Sequence, residues 1–153
     1  MSFTVKVLAP GEEGLLSDVA DGVFDNQVDP GLAAEFLNDP RHHIAVAIES
    51  GLVVGFASGV DYIHPDKPRE LWINEVGVAP SHRRQGVGHA VLAALLQTAA
   101  QIGCSVAWVL TDKSNNAAIA LYGSLGGASG IEGASEEIVG FEFRFVRDDP
   151  THA

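Results

Sequence analysis

Residues 71–89 of the 153-residue chain read LWINEVGVAPSHRRQGVGH and carry its clearest succession of secondary-structure signals. Its first part, Leu71 to Val78, is apolar and rich in β-branched residues, which is typical of a buried strand. Gly86 and Gly88 follow, and the apolar residues after them recur every three or four positions, as on one face of a helix. The stretch predicts a strand, a glycine-rich turn and a helix that ends near Gly103.

The same signals extend in both directions from this stretch. They predict further strands over Phe3–Leu8, His43–Ile48, Leu52–Val60, Ser105–Asp112 and Val139–Val146, and helices over Glu12–Phe24, Pro30–Asn38 and from about Ser114 to Gly126. Between two of the strands, Glu49-Ser50-Gly51 is a hairpin signature. This order of elements predicts a mixed α/β fold in which two crossover helices connect strands of one sheet.

Composition limits the classes of function. A length of 153 residues suits one domain, so we expect residues 1–153 to form a single domain. The formal net charge of −11 disfavours nucleic acid or an anionic membrane as a partner. A single cysteine, Cys104, excludes an internal disulfide, and we expect it in the core. The N-terminus shows no basic region followed by an apolar run, so we expect a cytoplasmic protein.

The glycine-rich turn is a candidate anion site. Gly86 and Gly88 remove side chains where a helix begins, so unpaired backbone N–H groups could approach a pyrophosphate directly. Arg83 and Arg84, the only adjacent basic pair in the chain, precede them. The spacing matches neither a dinucleotide-binding fingerprint nor a P-loop. The alternative is a solvated turn in which the glycines serve only the backbone conformation.

A second segment, residues 115–126, reads NNAAIALYGSLG and predicts a short helix after the next strand. Together the two segments resemble the Gcn5-related N-acetyltransferase superfamily. Its acetyl-CoA signature, Gln/Arg-x-x-Gly-x-Gly/Ala, is matched by Arg83, Gly86 and Gly88. Its motif Asn-x-x-Ala-x-x-Leu-Tyr is matched by Asn115, Ala118, Leu121 and Tyr122. The resemblance runs from Phe3 to Arg147 and departs at Gly127, where the family usually has an aromatic residue.

The resemblance implies a mostly antiparallel central sheet with splayed middle strands and flanking helices. It also implies acetyl-CoA as co-substrate and no metal. The backbone of Val76, Gly77 and Val78 would pair with the pantetheine arm and polarise the thioester carbonyl, and Asn115 would bond the same arm. The pyrophosphate would be held by the turn and the start of the helix, that is by Arg83, Arg84, Gln85, Gly86, Val87, Gly88 and His89.

Acetyl transfer needs a deprotonated amine and a proton for the departing thiolate. Tyr122 is the candidate acid, and the alternative is that it only packs the end of its helix. Glu75 interrupts an apolar strand, so it either has a structural partner or lines the acceptor site. Strand alternation places it with Ile73 and Gly77, and places Asn74, Val76 and Val78 on the other face. Asp112 ends the next strand and is either an acceptor-site group or a charge at a helix N-terminus.

Within the superfamily the chain looks most like the aminoglycoside 3-N-acetyltransferases of type I. The features are the block DKPRELWINEVGVAPSHRRQGVG, Glu75, Asp112, Ala-Leu-Tyr at 120–122 and the pair Glu136-Glu137. The resemblance implies direct acetyl transfer to a cationic aminoglycoside in a ternary complex. Glu75, Asp112 and Glu137 would hold the amines, with Asp112 contacting or deprotonating the reacting one. Residues 1–40 contain eight acidic residues beside one lysine, which would attract a polycation.

Other functions stay open at this point. The acceptor could be a polyamine or a protein N-terminal amine, or the chain could be a non-catalytic acyl-CoA-binding domain. We expect His82 and His89 to be surface histidines, and His42-His43 has no ligand cluster near it in sequence, so no metal site is predicted. The apolar strand Val139–Val146 could pair across a homodimer.

Overall fold

The computed structural model describes residues 2–130 and 137–146. One seven-stranded sheet runs through them, with the strands in the spatial order β1-β2-β3-β4-β5-β7-β6. All neighbouring strands are antiparallel except β4 and β5, which are parallel. The predicted mixed, mostly antiparallel sheet is therefore confirmed. The strands are β1 Thr4–Val7, β2 His42–Glu49, β3 Leu52–Tyr62, β4 Glu70–Val78, β5 Val106–Asp112, β6 Ala128–Ser129 and β7 Ile138–Arg144.

Three α-helices connect or flank the strands. They are α1 Pro30–Asn38, α2 Val87–Gln101 and α3 Asn116–Ser124. Asp29 begins α1 by accepting the backbone N–H of Leu32 at 2.9 Å, and Pro30 occupies the first helical position, where a missing N–H costs nothing. Gly103 follows α2 with φ of 98°, a left-handed conformation that ends the helix as predicted.

The predicted helix over Glu12–Phe24 is wrong. Only Glu13–Leu16 forms a helical turn, and it is a 3₁₀ turn. The chain then runs alongside β3, where the backbone N–H of Ala20 donates to the carbonyl of Val53 at 2.9 Å. Gly22 has φ of 80°, which a continuing helix cannot accommodate. Backbone hydrogen bonds to Val53, at the start of β3 where β4 does not pair with it, thus replace the helical ones.

The short turn between α3 and β6 explains why Gly127 departs from the family motif. The helix ends at Ser124, and β6 begins four residues later at Ala128. A Cβ at Gly127 would lie 2.8 Å from the carbonyl oxygen of Tyr122 and 2.9 Å from the ring of Phe143. No side chain fits there, so glycine is required in this chain where the family usually has an aromatic residue.

A bulge in β4 changes which side chains share a face of the sheet. Ser58 of β3 lies opposite Glu75, but its neighbour Gly59 lies opposite Ile73, so Asn74 is an extra residue in β4. The extra residue shifts the alternation by one position. The prediction that Ile73 shares a face with Glu75 is therefore wrong, and Ile73 is a core residue that is 1% exposed.

The sheet has two faces, named here by the helix that covers each. On the α2 face, a Cβ at Gly55 would contact Val87 of α2. On the α1 face, a Cβ at Gly77 would contact the backbone of Val23, which belongs to the irregular segment 17–28. Register and alternation place Glu75 on the α1 face with Gly77, as predicted.

Candidate functional site

The middle strands β4 and β5 separate shortly after they begin to pair. Their parallel pairing covers only Glu70–Trp72 against Val106–Trp108. Beyond this point β4 pairs with β3 as far as Val78, while β5 pairs with β7 as far as Asp112. Within the described residues no strand pairs with the β5-facing side of β4 from Ile73 onward, so its backbone groups are open to a ligand. The predicted splay is confirmed.

The turn between β4 and α2 leaves backbone donors pointing away from the helix. Gly86 precedes α2 with φ of 80° and, lacking a side chain, offers no cap. The first intrahelical bond is from Ala90 to the carbonyl of Gly86 at 3.0 Å. The N–H groups of Val87, Gly88 and His89 therefore have no helical acceptor, and the helix dipole makes this end attractive to an anion.

The other residues of the turn differ in what they can offer. Arg83, Arg84 and Gln85 are exposed, and neither arginine has an ion-pair partner in the described ranges. Val87 is 1% exposed, so its side chain is part of the core and only its backbone can meet a ligand. At Gly88 a Cβ would already be in contact with Val78 and Leu121, so this glycine lies between α2, β4 and α3.

The turn is held from below by a hydrogen bond between His82 and Glu49, called here the tether, which was not predicted from the sequence. His82, predicted to be a surface histidine, has a side chain only 14% exposed, and its Nε2 lies 2.8 Å from the carboxylate of Glu49 at the end of β2. Its other ring nitrogen lies 2.8 Å from the hydroxyl of Ser81. The turn is thereby held to the β2–β3 hairpin. Nothing in the sequence pairs residues 33 positions apart, so only the sheet register reveals this contact.

Asn115 begins α3 and its side chain has a structural partner. The amide oxygen accepts the backbone N–H of Ala118 at 3.0 Å, which makes Asn115 the N-cap of the helix. Its amide nitrogen makes no hydrogen bond within the described chain, so it remains available as a donor. Contact between Asn115 and the pantetheine arm stays a prediction.

Tyr122 combines a buried ring with an accessible hydroxyl. The ring lies between α3 and β7, with its centroid 5.4 Å from that of Phe141 and 6.4 Å from that of Phe143. The residue is 6% exposed, but its hydroxyl oxygen is not among the fully buried side-chain polar atoms that lack a hydrogen bond in the described residues, so the hydroxyl reaches the surface. Burial raises the pKa of the Tyr122 phenol, so the hydroxyl keeps its proton at neutral pH.

Glu75 lines a cavity on the α1 face. The cavity has a volume of about 360 Å³ and lies between α1, segment 24–29 and strands β3 and β4. Phe24 and Phe56 stack at 4.1 Å within its wall. Asp25, Asp29 and Glu75 bring carboxylates to it, and Ser58 and Asn74 add neutral polar groups. Of the two sequence alternatives for Glu75, this geometry favours the acceptor-site one, since the residue is exposed and has no ion-pair partner in the part of the chain described.

Asp112 and Glu137 lie together across the splay from Glu75. The backbone N–H of Lys113 donates to the carbonyl of Glu137 at 2.8 Å. Alternation along β5 places Asp112 on the α1 face, the same face as Glu75. Asn115 rather than Asp112 caps α3, but the backbone carbonyl of Asp112 accepts the N–H of Asn115 at 3.0 Å, so Asp112 also lies close to the helix N-terminus and both of its roles stay predictions. Glu136 lies outside the described residues.

A buried ion cluster lies at the opposite end of the sheet from the turn. Asp61, 3% exposed, is 2.6 Å from Nε2 of His43 and 2.5 Å from the guanidinium of Arg69. No group of three or more His, Cys, Asp or Glu in the described ranges could hold a metal ion. None of the described helices is long and apolar enough to span a membrane.

Comparison with protein families gives one match over most of the chain. The model described as the Acetyltransferase (GNAT) family matches residues 15–126. This range contains the splayed strands, the turn, α2 and the whole of α3. The match therefore covers more than half of the chain.

Curated relatives match a shorter central part. An L-2,4-diaminobutyric acid acetyltransferase of Nocardia farcinica is 30% identical over 87 residues, which are 57% of this chain and 44% of that protein. The ribosomal protein bS18-alanine N-acetyltransferase of Escherichia coli K12 is 40% identical over 57 residues, 37% of this chain and 38% of that protein. The chain thus spans less than half the length of these curated relatives.

Among solved structures, an aminoglycoside acetyltransferase from an uncultured soil metagenomic sample is similar over nearly its whole length. The TM-score is 0.69 and the sequence identity 26%, and the match covers 86% of this chain and 95% of that one. Its sheet and helices therefore correspond to most of the elements described above.

Proposed function

The chain belongs to the GNAT family of acetyltransferases, and from this premise we propose that it transfers acetyl from acetyl-CoA to an amino group of a cationic aminoglycoside. The transfer is direct, within a ternary complex of enzyme, acetyl-CoA and acceptor. The observation that carries the proposal is the separation of β4 from β5 beside the uncapped N-terminus of α2.

The acetyl-CoA side of the site is formed by backbone more than by side chains. The N–H groups of Val87, Gly88 and His89 and the cationic Arg83 and Arg84 suit a pyrophosphate. The open β5-facing edge of Val76–Val78 suits the amide-containing pantetheine arm, which can hydrogen-bond as an added strand would. The same backbone donors stabilise charge on the thioester carbonyl oxygen as the amine attacks.

Tyr122 supplies the proton that the leaving thiolate needs. Transfer from a phenol of pKa about 10 to a thiolate whose acid has a pKa of about 8.5 is uphill, and the burial of Tyr122 adds to this. Burial also raises the basicity of a thiolate in the same apolar site, which offsets part of the difference. The phenol therefore hydrogen-bonds to the sulfur while negative charge develops there, and transfers its proton as the thiolate leaves.

Glu75 and Asp112 receive the acceptor amine. Both lie on the α1 face, one on each arm of the splay. Either carboxylate can take the proton of an ammonium group, directly or through water, before attack on the thioester. Glu75 is the better placed of the two for binding, since it lines the cavity with Asp25 and Asp29. Together with the net charge of −11, these carboxylates favour a polycationic acceptor.

An acceptor panel at fixed acetyl-CoA concentration tests the proposal. The panel consists of gentamicin, spermidine and a peptide with an N-terminal alanine, and the measurement is amine-dependent release of CoA thiol. We expect thiol release with gentamicin at a higher kcat/KM than with the other two. Calorimetric binding of CoA without any amine-dependent thiol release would instead identify a non-catalytic acyl-CoA-binding domain.

A protein N-terminal amine is the second candidate acceptor. It is favoured by the 40% identity to the ribosomal protein bS18-alanine N-acetyltransferase, although the match covers only 57 residues. A higher kcat/KM for the alanine peptide than for gentamicin in the panel would select this candidate.

The tether formed by His82 and Glu49 predicts a separate effect on acetyl-CoA. We expect His82→Ala and Glu49→Gln each to raise KM for acetyl-CoA about fivefold, since a charge-assisted hydrogen bond that positions the turn is lost. Neither residue faces the acceptor cavity, so kcat and KM for the acceptor should stay within about twofold. His64→Ala, at an exposed histidine far from the turn, is the control. A lowered kcat with unchanged KM for acetyl-CoA would contradict a positioning role.

A further inference from the structure

Two tryptophans stand side by side on the α1 face, beyond the reach of α1. Trp72 and Trp108 are register partners in β4 and β5, and their rings stack with centroids 5.9 Å apart at 22°. Trp72 is 37% exposed, which is unusual for so large an apolar side chain. In the described part of the chain, no lysine or arginine packs on either ring. The aromatic surface is therefore available to a ligand.

Sheet register places this pair directly beside Glu75. Trp72 lies opposite Val60 and Glu75 opposite Ser58, so both side chains are on the α1 face, about 7 Å apart along the strand, and the bulge residue Asn74 lines the cavity next to Glu75. The bulge at Asn74 causes this, because without the extra residue Trp72 and Glu75 would lie on opposite faces. A molecule whose amine meets Glu75 can thus place its next group over Trp72.

Hydrogen bonds hold Trp108 in place before any ligand arrives, and Trp72 stacks on it. The indole N–H of Trp108 donates to the hydroxyl of Tyr62, which in turn donates to the carboxylate of Glu70 at 2.9 Å. Burial, with the bond to Glu70 contributing, raises the pKa of Tyr62 to about 12, so this hydroxyl stays protonated. Trp108 cannot rotate without breaking this chain of bonds. Little side-chain entropy is lost when a ligand settles on rings that are already fixed.

The charges around the pair are mainly negative. Glu70, Glu75 and Glu142 share the α1 face with it, and Glu142 lies directly opposite Trp108. The counter-charge is Arg144, 3.0 Å from Glu142, and the ring of His64 lies 3.9 Å from Glu70. Glu75 has no such partner among the described residues, so the side of the pair nearest the acceptor cavity is anionic. An aromatic face in an anionic setting attracts a cation.

We propose that the Trp72–Trp108 pair is an acceptor subsite that binds a second ammonium group of the substrate by cation–π contact while the reacting amine is at Glu75. The inference rests on the proposed function and narrows it to acceptors with at least two cationic amines. A monoamine of the same length can pair its ammonium group with Glu75, but it brings only an apolar chain end to the two tryptophans and makes no cation–π contact.

Calorimetric titration of the enzyme–CoA complex tests the subsite without depending on turnover. Cadaverine and hexylamine have the same chain length and differ in whether the far end is an ammonium or a methyl group. We expect the wild type to bind cadaverine more tightly than hexylamine. Trp72→Leu should weaken cadaverine binding about fivefold and leave hexylamine binding unchanged, because it keeps apolar contact but removes the π face. Trp72→Phe should retain most of the preference.

The controls separate this subsite from folding and from catalysis. Ile63→Ala removes an exposed apolar side chain outside the pair, and we expect wild-type binding of both amines. Equal binding of the two amines by the wild type, or equal losses for both in Trp72→Leu, would overturn the subsite. Failure of the proposed function is seen separately, as the absence of amine-dependent thiol release by the wild type, whatever the titration shows.

Discussion

Tyr122→Phe will lower kcat about a hundredfold and leave KM for acetyl-CoA close to the wild-type value. A positioned acid that protonates a leaving group contributes about 10² to 10⁴ in rate. The substitution removes only the hydroxyl, which has no hydrogen-bond partner among the described residues, and keeps the ring that packs on Phe141 and Phe143. Steady-state kinetics with acetyl-CoA and a saturating acceptor measures the effect.

The pH dependence follows from the direction of the Tyr122 shift. Burial raises the pKa of the phenol above its ordinary value of 10.0, so the protonated acid form persists at least to pH 10. We therefore expect no fall in wild-type kcat from loss of this proton between pH 7 and about pH 9. An unchanged thermal midpoint in Tyr122→Phe is the folding control, and an unchanged kcat would remove Tyr122 from the mechanism.

Asp61→Ala will destabilise the fold by about 3 kcal/mol, since it removes the buried carboxylate that pairs with the Arg69 guanidinium and with the largely buried His43 ring. The Asp61 side chain is 4% exposed and bridges His43 of β2 and Arg69, which precedes β4. Arg69 is 41% exposed and can turn toward water, which keeps the expected loss at the lower end of the range for buried pairs. Asp61 therefore ties together three consecutive segments of the sheet.

Thermal and urea unfolding measure this loss. For a domain of this size, about 3 kcal/mol corresponds to a fall in Tm of roughly 6 to 12 °C. Asp66→Ala is the matched control, because Asp66 forms an exposed ion pair with Lys67 and has a side chain 70% exposed. We expect that variant to change stability by less than about 0.5 kcal/mol. Equal midpoints for the two variants would show that the Asp61 cluster does not stabilise the sheet.

Most strands could be predicted from sequence because their apolar residues are concentrated in short runs bounded by turn signals. The β2–β3 turn is one case, where Ser50 and Gly51 both have positive φ, as a two-residue hairpin loop requires. The segment after Glu12 shows the limit. Its residues are spaced as in a helix, but the backbone forms hydrogen bonds with Val53 at the start of β3 instead of helical ones. No local pattern in the sequence reveals that partner.

Some residues of the candidate site could likewise be predicted from sequence, and others could not. Gly86, Gly88, Asn115 and Tyr122 were found because two local motifs carry them, and the structure shows an uncapped helix start, an N-cap and a buried phenol at these positions. Glu75 was found from its unusual place in an apolar strand. Its proximity to Trp72 on the α1 face is not predicted, because the bulge at Asn74 arises from pairing with β3 and leaves no mark in the spacing.

Local sequence patterns specify the strands and helices after Pro30 other than the two-residue β6, the glycine turn with its uncapped donors, and the family. These depend on residues close together in the chain, whose conformations are set by local sterics and by hydrophobic periodicity. Three contacts follow from the tertiary structure alone: His82 meets Glu49, Asp61 joins His43 to Arg69, and Trp72 lies on the same face as Glu75. Each of these contacts joins different strands or depends on a shift in register, and register is set by the packing of the whole sheet.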